Sequence, residues 1–184
     1  FSGADEVSVM NILYRLSSLG LIRKTKEVGE YEDKEFQRLS RILKIFFQIY
    51  ELITSELFRQ IGIRGKEIVE KARKDLPSDY QVVFVNVALE KPNSLDPNTI
   101  LRNIATYFPS PDQRLVFLEA FHGLFINILD ASKKILGSVL TKDAIEKIGI
   151  IKSNMETFSD KTLEHTVLKS RSMEILDEII ENYT

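Results

Sequence analysis

Residues 36–61 read FQRLSRILKIFFQIYELITSELFRQI and are followed by Gly62. Apolar residues recur at steps of three or four along this stretch, which places them on one face of an α-helix. These residues are Leu39, Ile42, Phe46, Ile49, Ile53, Leu57 and Ile61. Further apolar residues widen the face, so we expect the helix to pack against more than one neighbour. Gly62 suits the left-handed backbone conformation that ends a helix.

A second stretch, residues 113–136, repeats this design as QRLVFLEAFHGLFINILDASKKIL and is followed by Gly137. A shorter helical segment follows each long stretch. The sequence therefore predicts that a unit of long helix, glycine and shorter helix occurs twice, in residues 36–72 and 112–148. We expect the two units to superpose and to pack through their apolar stripes.

Two short matches support the repeat because they share one offset. Gln37 aligns with Gln113 (113 − 37 = 76), and Lys66 aligns with Lys142 (142 − 66 = 76). A constant offset at both ends of the unit is better evidence for the repeat than either match alone.

The rest of the chain also favours helices. We predict shorter helices over residues 64–75 and 142–148 and a last helix over 159–183. Asp96-Pro97 predicts a helix start, with Asp as N-cap and Pro in the first turn. Residues 27–35 are mostly charged and are predicted to be a linker.

Residues 80–91, YQVVFVNVALEK, are the least clear stretch. Their β-branched and aromatic residues favour a strand. No second strong strand is available nearby, however, and a lone strand leaves backbone groups unsatisfied. We therefore predict a buried helix here.

These patterns together predict an all-α helical bundle over residues 31–158. Residues 1–30 form a winged-helix-like appendage and linker, because a helix ending at Gly20 is followed by a short strand-like run. Residues 159–184 form a separate C-terminal helix.

The composition narrows the class of protein but names no function. Hydrophobic residues make up 43% of the 184 residues, and the net charge is −2. This supports a core and gives no global argument for nucleic acid or anionic membranes. There is no Cys, no apolar run of about 18 residues and no signal peptide. We expect a cytoplasmic protein, no membrane contact and no cofactor. Because the chain begins at Phe1, we also expect it to be part of a longer protein.

The first 25 residues contain FSGADEVSV, then ILYRL, then LGLI. This pattern resembles the end of the PATAN domain, a bacterial domain that occurs beside response-regulator receivers and other signalling modules. The resemblance implies that these residues are the winged-helix-like segment at the end of such a domain. It also implies a role in signalling. The family has no catalytic motif, so no functional residue is carried over.

A winged helix can also read DNA, which is one alternative function. The helix in question carries Arg15 as its basic residue, while Asp5 and Glu6 near its start are acidic. DNA binding requires several Lys or Arg to neutralise phosphates. Nucleic acid is therefore not the partner that we expect.

The two histidines, His122 and His165, define a second alternative, a histidine phosphotransfer module. His122 lies on the apolar side of the second long helix, where a core histidine with one hydrogen bond is the simpler interpretation. His165 is expected to be exposed, and its segment resembles the phosphoacceptor helix of histidine kinases. That motif places an acidic residue directly after the histidine, whereas Thr166 stands here. No metal-binding motif is present.

The C-terminal helix has an apolar second half. Five of the eight positions from Met173 to Ile180 are apolar, more than a narrow seam requires. Such a helix either folds back on its own chain or pairs with a second copy. We predict a homodimer whose interface includes Met173, Leu176, Ile179 and Ile180.

We therefore expect a non-enzymatic regulatory or scaffolding module of a bacterial signalling protein. Its expected partner is a protein, and a second copy of the chain is one candidate.

Overall fold

The computed structural model describes residues 26–89, 95–108, 115–157 and 167–184, with side chains described from residue 37 onward except at 138–141 and 157. The chain divides into two compact units, Phe1–Phe36 and Gln37–Thr184. The predicted winged-helix-like features of residues 1–25 lie outside the described residues, as does His165.

Seven α-helices and one turn of 3₁₀ helix make up the regular structure of the described residues, and no strand occurs among them. The prediction of an all-α fold is confirmed. The helices are α1 (Lys26–Ile61), α2 (Arg64–Lys74), α3 (Ser78–Gln81), α4 (Pro97–Tyr107), α5 (Val116–Leu136), α6 (Ser138–Thr157) and α7 (Val167–Tyr183), with the 3₁₀ turn at Val82–Phe84.

Helix α1 is longer than the sequence indicated. It begins at Lys26 and continues unbroken for 36 residues. The prediction of a linker over residues 27–35 is therefore wrong. Glu and Lys are frequent in this stretch and are good helix formers, so a high density of charge does not end the helix.

The two long helices, α1 and α5, pack together through aromatic rings. The Phe46 ring centroid lies 6.4, 5.6 and 5.8 Å from those of Phe117, Phe121 and Phe125. All four rings are fully buried. The predicted packing of the two apolar stripes is thus confirmed, and the centre of the core lies at this contact.

The repeat has two offsets rather than one. Buried positions of α1 and α5 match at an offset of 75 (117 − 42 = 75), and the stop glycines Gly62 and Gly137 share this offset. The matched buried pairs are Ile42 and Phe117, Leu43 and Leu118, Phe46 and Phe121, Ile49 and Leu124, Tyr50 and Phe125, Ile53 and Ile128, Thr54 and Leu129, and Leu57 and Ser132. An offset of 76 would instead match buried Leu57 with exposed Lys133.

The shorter helices keep the predicted offset of 76. Ile68, Val69 and Ala72 of α2 match Ala144, Ile145 and Ile148 of α6, and all six are buried. One extra residue therefore separates the stop glycine from the buried face of the second helix in the second unit. The offset is therefore not constant through the unit, and α6 is also longer than α2, at 20 residues against 11. That the two units superpose stays a prediction.

Helix α2 packs on the long helix of the other unit. The Asn127 side-chain amide of α5 donates a hydrogen bond to the Ala72 carbonyl at 3.0 Å. A Cβ atom on Gly123 would lie 2.8 Å from Cδ2 of Leu76, just beyond the end of α2. The absence of a side chain at Gly123 therefore permits this close approach.

Helix α6 shows the reciprocal relationship. The charge of Lys147 acts on Glu56, and that of Asp143 acts on Arg59, near the end of α1. Each shorter helix thus lies close to the long helix of the other unit.

The prediction of one buried helix over residues 80–91 is wrong. Helix α3 and the 3₁₀ turn are followed by non-helical backbone through Leu89, with Asn86 at a φ of 59°. The Asn103 side-chain amide of α4 donates hydrogen bonds to the carbonyls of Val83 and Val85 at 3.0 and 2.8 Å. The Tyr50 hydroxyl of α1 donates a hydrogen bond to the Leu89 carbonyl. Side chains from two helices therefore satisfy backbone groups that a partner strand would otherwise satisfy.

The start of α4 follows the sequence prediction. Asp96 accepts hydrogen bonds from the Asn98 amide at 3.0 Å and the Thr99 hydroxyl at 2.6 Å, and Pro97 is the first helical residue. This N-cap fixes the point at which α4 begins.

Candidate functional site

Several interacting charges lie where α7 meets α5 and α6. Helix α7 packs against both of these helices. Its buried face consists of Ser172, Ile175, Leu176, Ile179 and Tyr183. The C-terminal helix therefore folds back onto its own chain.

This packing corrects the predicted partner interface. Leu176 and Ile179 are fully buried within the chain, and Met173 and Ile180 are partly buried against the same core. The apolar second half of the helix is explained by its contact with α5 and α6. A homodimer that uses Leu176 and Ile179 cannot form while α7 occupies this position.

Arg171 links α7 to α5. Its guanidinium group donates two parallel hydrogen bonds to the Glu119 carboxylate, at 2.6 and 3.0 Å. It also donates to Glu174 at 3.2 Å and to Glu178 at 2.9 Å within α7. The paired geometry to Glu119 is the strong form of this contact and fixes the orientation of both side chains.

These contacts shift the pKa of both partners. The hydrogen bonds from Arg171 hold the pKa of Glu119 below its usual value, against the opposing effect of partial burial. The positive charge of Arg171 and the neighbouring His122 act in the same direction. The hydrogen bond to Glu119 correspondingly raises the pKa of Arg171. The pair is therefore ionised throughout the neutral range.

His122 lies beside this pair. Its Nε2 atom is buried, lies 3.4 Å from a carboxylate oxygen of Glu178 and makes no hydrogen bond. The side chain is 19% exposed. His122 is thus partly buried, and the hydrogen bond expected of a core histidine is absent at Nε2.

The surroundings of His122 do not favour a phosphoryl group. Glu119 and Glu178 are both neighbours, so a phosphate on the imidazole would meet two carboxylates. Arg171 is the nearby cation, and three carboxylates already bind it. The Nζ atom of Lys133, further along α5, lies 5.5 Å from the centroid of the Tyr183 ring.

Helix α7 makes further polar contacts at its C-terminal end and with α6. The Tyr183 hydroxyl donates to Asp130 at 2.7 Å, and burial together with this contact raises the pKa of the Tyr183 hydroxyl. Lys152 of α6 forms an ion pair with Asp177 at 2.6 Å. Contacts near both ends of α7 therefore fix its register along α5, and the two helices run in the same direction.

The sequence contained a signal for this site that we did not use. Glu119 and His122 are the only ionisable residues between positions 116 and 129, within an otherwise uncharged part of α5. A charge on such a helix indicates an ionic partner on a neighbouring element. Arg171 of α7 is that partner.

The described residues contain no group of three His, Asp or Glu that could hold a metal ion. Within the same described ranges, no helix is both long and apolar enough to cross a membrane. Comparison of the chain with protein-family models, curated proteins and solved structures gives no match.

Proposed function

We propose that this chain is a non-enzymatic regulatory or scaffolding module that acts through contacts with other proteins. The observation that carries the proposal is the use of the ionisable residues of the candidate site. Glu119 and Arg171 bind each other, and Lys152 and Asp177 form a second pair between helices. These side chains join α7 to its neighbours, which is a structural use of polar groups rather than a reactive one.

The bacterial signalling context is the more specific part of the proposal. It rests on the resemblance of residues 1–25 to the end of the PATAN domain, and a cytoplasmic location follows from that context and from the absence of Cys. A receiver or kinase domain that interacts with this chain would support it.

Site-specific photocrosslinking tests the proposed contacts. A photoreactive residue is placed at Glu181, which is exposed on α7, and in a matched chain at Lys74, which is exposed on α2. We expect crosslinked products of discrete mass from at least one position when the full chain is irradiated in the cells that produce it. A diffuse background at both positions, with no crosslinked product of discrete mass, would contradict the proposal.

Phosphate labelling tests the main alternative. The full chain is incubated with a histidine kinase and ATP, and acid-labile phosphate is measured for the wild type and for His122→Gln and His165→Gln. We expect no labelling. Label that disappears in either variant would establish phosphotransfer and overturn the proposed function.

A gel shift with duplex DNA at moderate salt tests the second alternative. We expect no salt-sensitive complex.

A further inference from the structure

We propose that His122 makes the docking of helix α7 onto α5 sensitive to pH. A proton on the imidazole strengthens the contact between the two helices, and release of that proton above neutral pH weakens it. The controlled element is α7 because its ionic contacts with α5 lie beside this side chain.

His122 belongs to a ring of four side chains that closes across the two helices. Glu178 of α7 accepts a hydrogen bond from Arg171 at 2.9 Å through one carboxylate oxygen, and its other oxygen lies 3.4 Å from Nε2 of His122. Arg171 in turn binds Glu119, which stands three positions before His122 and therefore on the same face of α5. Movement of α7 away from α5 separates His122 from Glu178 as well as Arg171 from Glu119.

The charges around the ring favour a proton on His122. One guanidinium group binds three carboxylates, those of Glu119, Glu174 and Glu178, so one positive and three negative charges give a net charge of −2. The buried Nε2 atom of His122 makes no hydrogen bond, and the Glu178 carboxylate is the partner available to a proton there. Burial opposes a charge on the imidazole, but the side chain keeps 19% of its surface exposed. The excess of negative charge therefore decides the direction.

Histidine is the side chain that ordinarily changes charge between pH 5 and 8. Glu119 stays ionised over this range because the hydrogen bonds from Arg171 lower its pKa. The other helices packed against α5 carry charged groups of kinds that also keep their charge there. These groups include Lys152 of α6, paired with Asp177, Arg73 of α2, paired with Glu70, Arg59 of α1, paired with Glu56, and Asp79 of α3, which accepts a hydrogen bond from Ser78.

The sign of the effect follows from the linkage between proton binding and folding. The unfolded chain lacks the neighbouring carboxylates, so a proton on His122 stabilises the folded chain. The gain is fully present below about pH 6.5, the ordinary value for histidine, and is lost as the pH rises further. The contribution of Glu119 is instead lost in acid, below pH 4.5. The two responses are therefore opposite in sign and separated in pH.

Urea melts of the full chain at pH 5.5 and pH 8 test the proposal, in a His165→Gln parent that lacks the other histidine. The parent is compared with the same chain carrying His122→Gln, which keeps a polar side chain but takes up no proton. Lowering the pH from 8 to 5.5 should raise the ratio of their folding equilibrium constants about fivefold, the size expected of a partly exposed ion pair.

Two further variants identify the partner of the proton. When both chains carry Glu178→Gln, the rise should fall below about twofold, because the carboxylate beside Nε2 is gone. Glu181→Gln is the matched control, since it removes a carboxylate from an exposed position of the same helix, and it should leave the rise at about fivefold. Hydrogen exchange, corrected for the intrinsic rate at each pH, should show the same loss of protection at pH 8 in the amides of α7.

A ratio of folding constants that is equal at the two pH values would overturn the proposal, as would a full rise that survives Glu178→Gln. If His122→Gln does not fold, the parent is compared directly with Glu178→Gln, whose side chain is 44% exposed and whose replacement keeps the imidazole. The ratio of these two chains should also rise as the pH is lowered. A constant ratio in that comparison would overturn the proposal as well.

Discussion

Helix α5 is held on two sides by different kinds of interaction. Toward α1 its contact is aromatic, with the Phe121 ring centroid 5.6 and 6.0 Å from those of Phe46 and Phe47. Phe84 of the 3₁₀ turn and Phe125 of α5 complete this cluster, at 5.1 and 5.7 Å from Phe121. Toward α7 a shorter apolar stripe is flanked by charged and polar pairs. Burial therefore supplies stability on the first side, whereas on the second side charges select the partner and its register. Substitutions on the two sides should differ in size and in their dependence on pH.

The largest effect is expected at the aromatic contact. Phe121→Ala should reduce the free energy of unfolding by about 3–5 kcal/mol, because the fully buried ring leaves a cavity among four other rings. Tyr107→Ala is the matched control, since Tyr107 is 48% exposed, and should cost well under this amount. Denaturant melts measure both. A loss below about 1 kcal/mol for Phe121→Ala would show that this side does not dominate stability.

Substitution at the contact between α5 and α2 is expected to change the free energy of unfolding by an intermediate amount. Gly123→Ala places a Cβ atom 2.8 Å from the buried Leu76 side chain, and we expect a cost of about 1–2 kcal/mol. Gly149→Ala in α6 meets no atom within 4 Å and should instead stabilise the helix by about 0.5–1 kcal/mol. Thermal melts of the two variants should therefore shift in opposite directions. Equal shifts would show that helix propensity, rather than packing, decides the outcome at Gly123.

The stability that the ionic contact between α5 and α7 contributes should decrease in acid. Because the folded-state pKa of Glu119 lies below its ordinary value of 4.5, its contribution is present above pH 4.5 and is lost as the pH falls through the lowered value. Glu119→Gln should remove this part of the acid dependence and cost about 1 kcal/mol at pH 7, a modest figure because Arg171 and Glu119 are 29% and 32% exposed.

Urea melts at several pH values between 2 and 7 measure this dependence, with Glu67→Gln at an exposed position of α2 as control. An unchanged acid limb in Glu119→Gln would mean that the pair with Arg171 does not couple α7 to pH.

The smallest effect is expected at the end of α7. Tyr183→Phe removes the hydroxyl that donates to Asp130 while keeping the ring beneath Lys133. We expect a loss of about 0.5–1 kcal/mol. Hydrogen exchange should show the loss as faster opening of the last turns of α7 with little change in α1. Equal acceleration in both helices would indicate that α7 does not open separately from the core.

The apolar side of this comparison was predictable from the sequence, and the ionic side was not. The spacing of Phe46 and Phe121 along their helices indicates a buried face without any knowledge of the partner. The pairing of Arg171 with Glu119 depends on how two helices 52 positions apart are placed, which local patterns do not contain. The same limit explains the error at residues 80–91, because Asn103 and Tyr50 satisfy that backbone from distant positions.

The offset of the repeat illustrates a further limit. Short identities such as Gln37 with Gln113 suggested an offset of 76 positions throughout the unit. The burial of both Leu57 and Ser132 instead requires an offset of 75 positions in the long helices. Sequence identity over three residues carries less information about register than the periodicity of a whole buried face.

The crosswise packing of the shorter helices has a consequence for how the chain folds as it is synthesised. Ala72 of α2 receives its hydrogen bond from Asn127, 55 positions later in the chain. The part of the core that α5 covers, including the packing face of α2, therefore stays uncovered until α5 has been synthesised. Segments whose contacts are distant in sequence fold slowly and expose apolar surfaces that aggregate. We therefore expect the first half of this chain to be the part that is most prone to aggregation during translation.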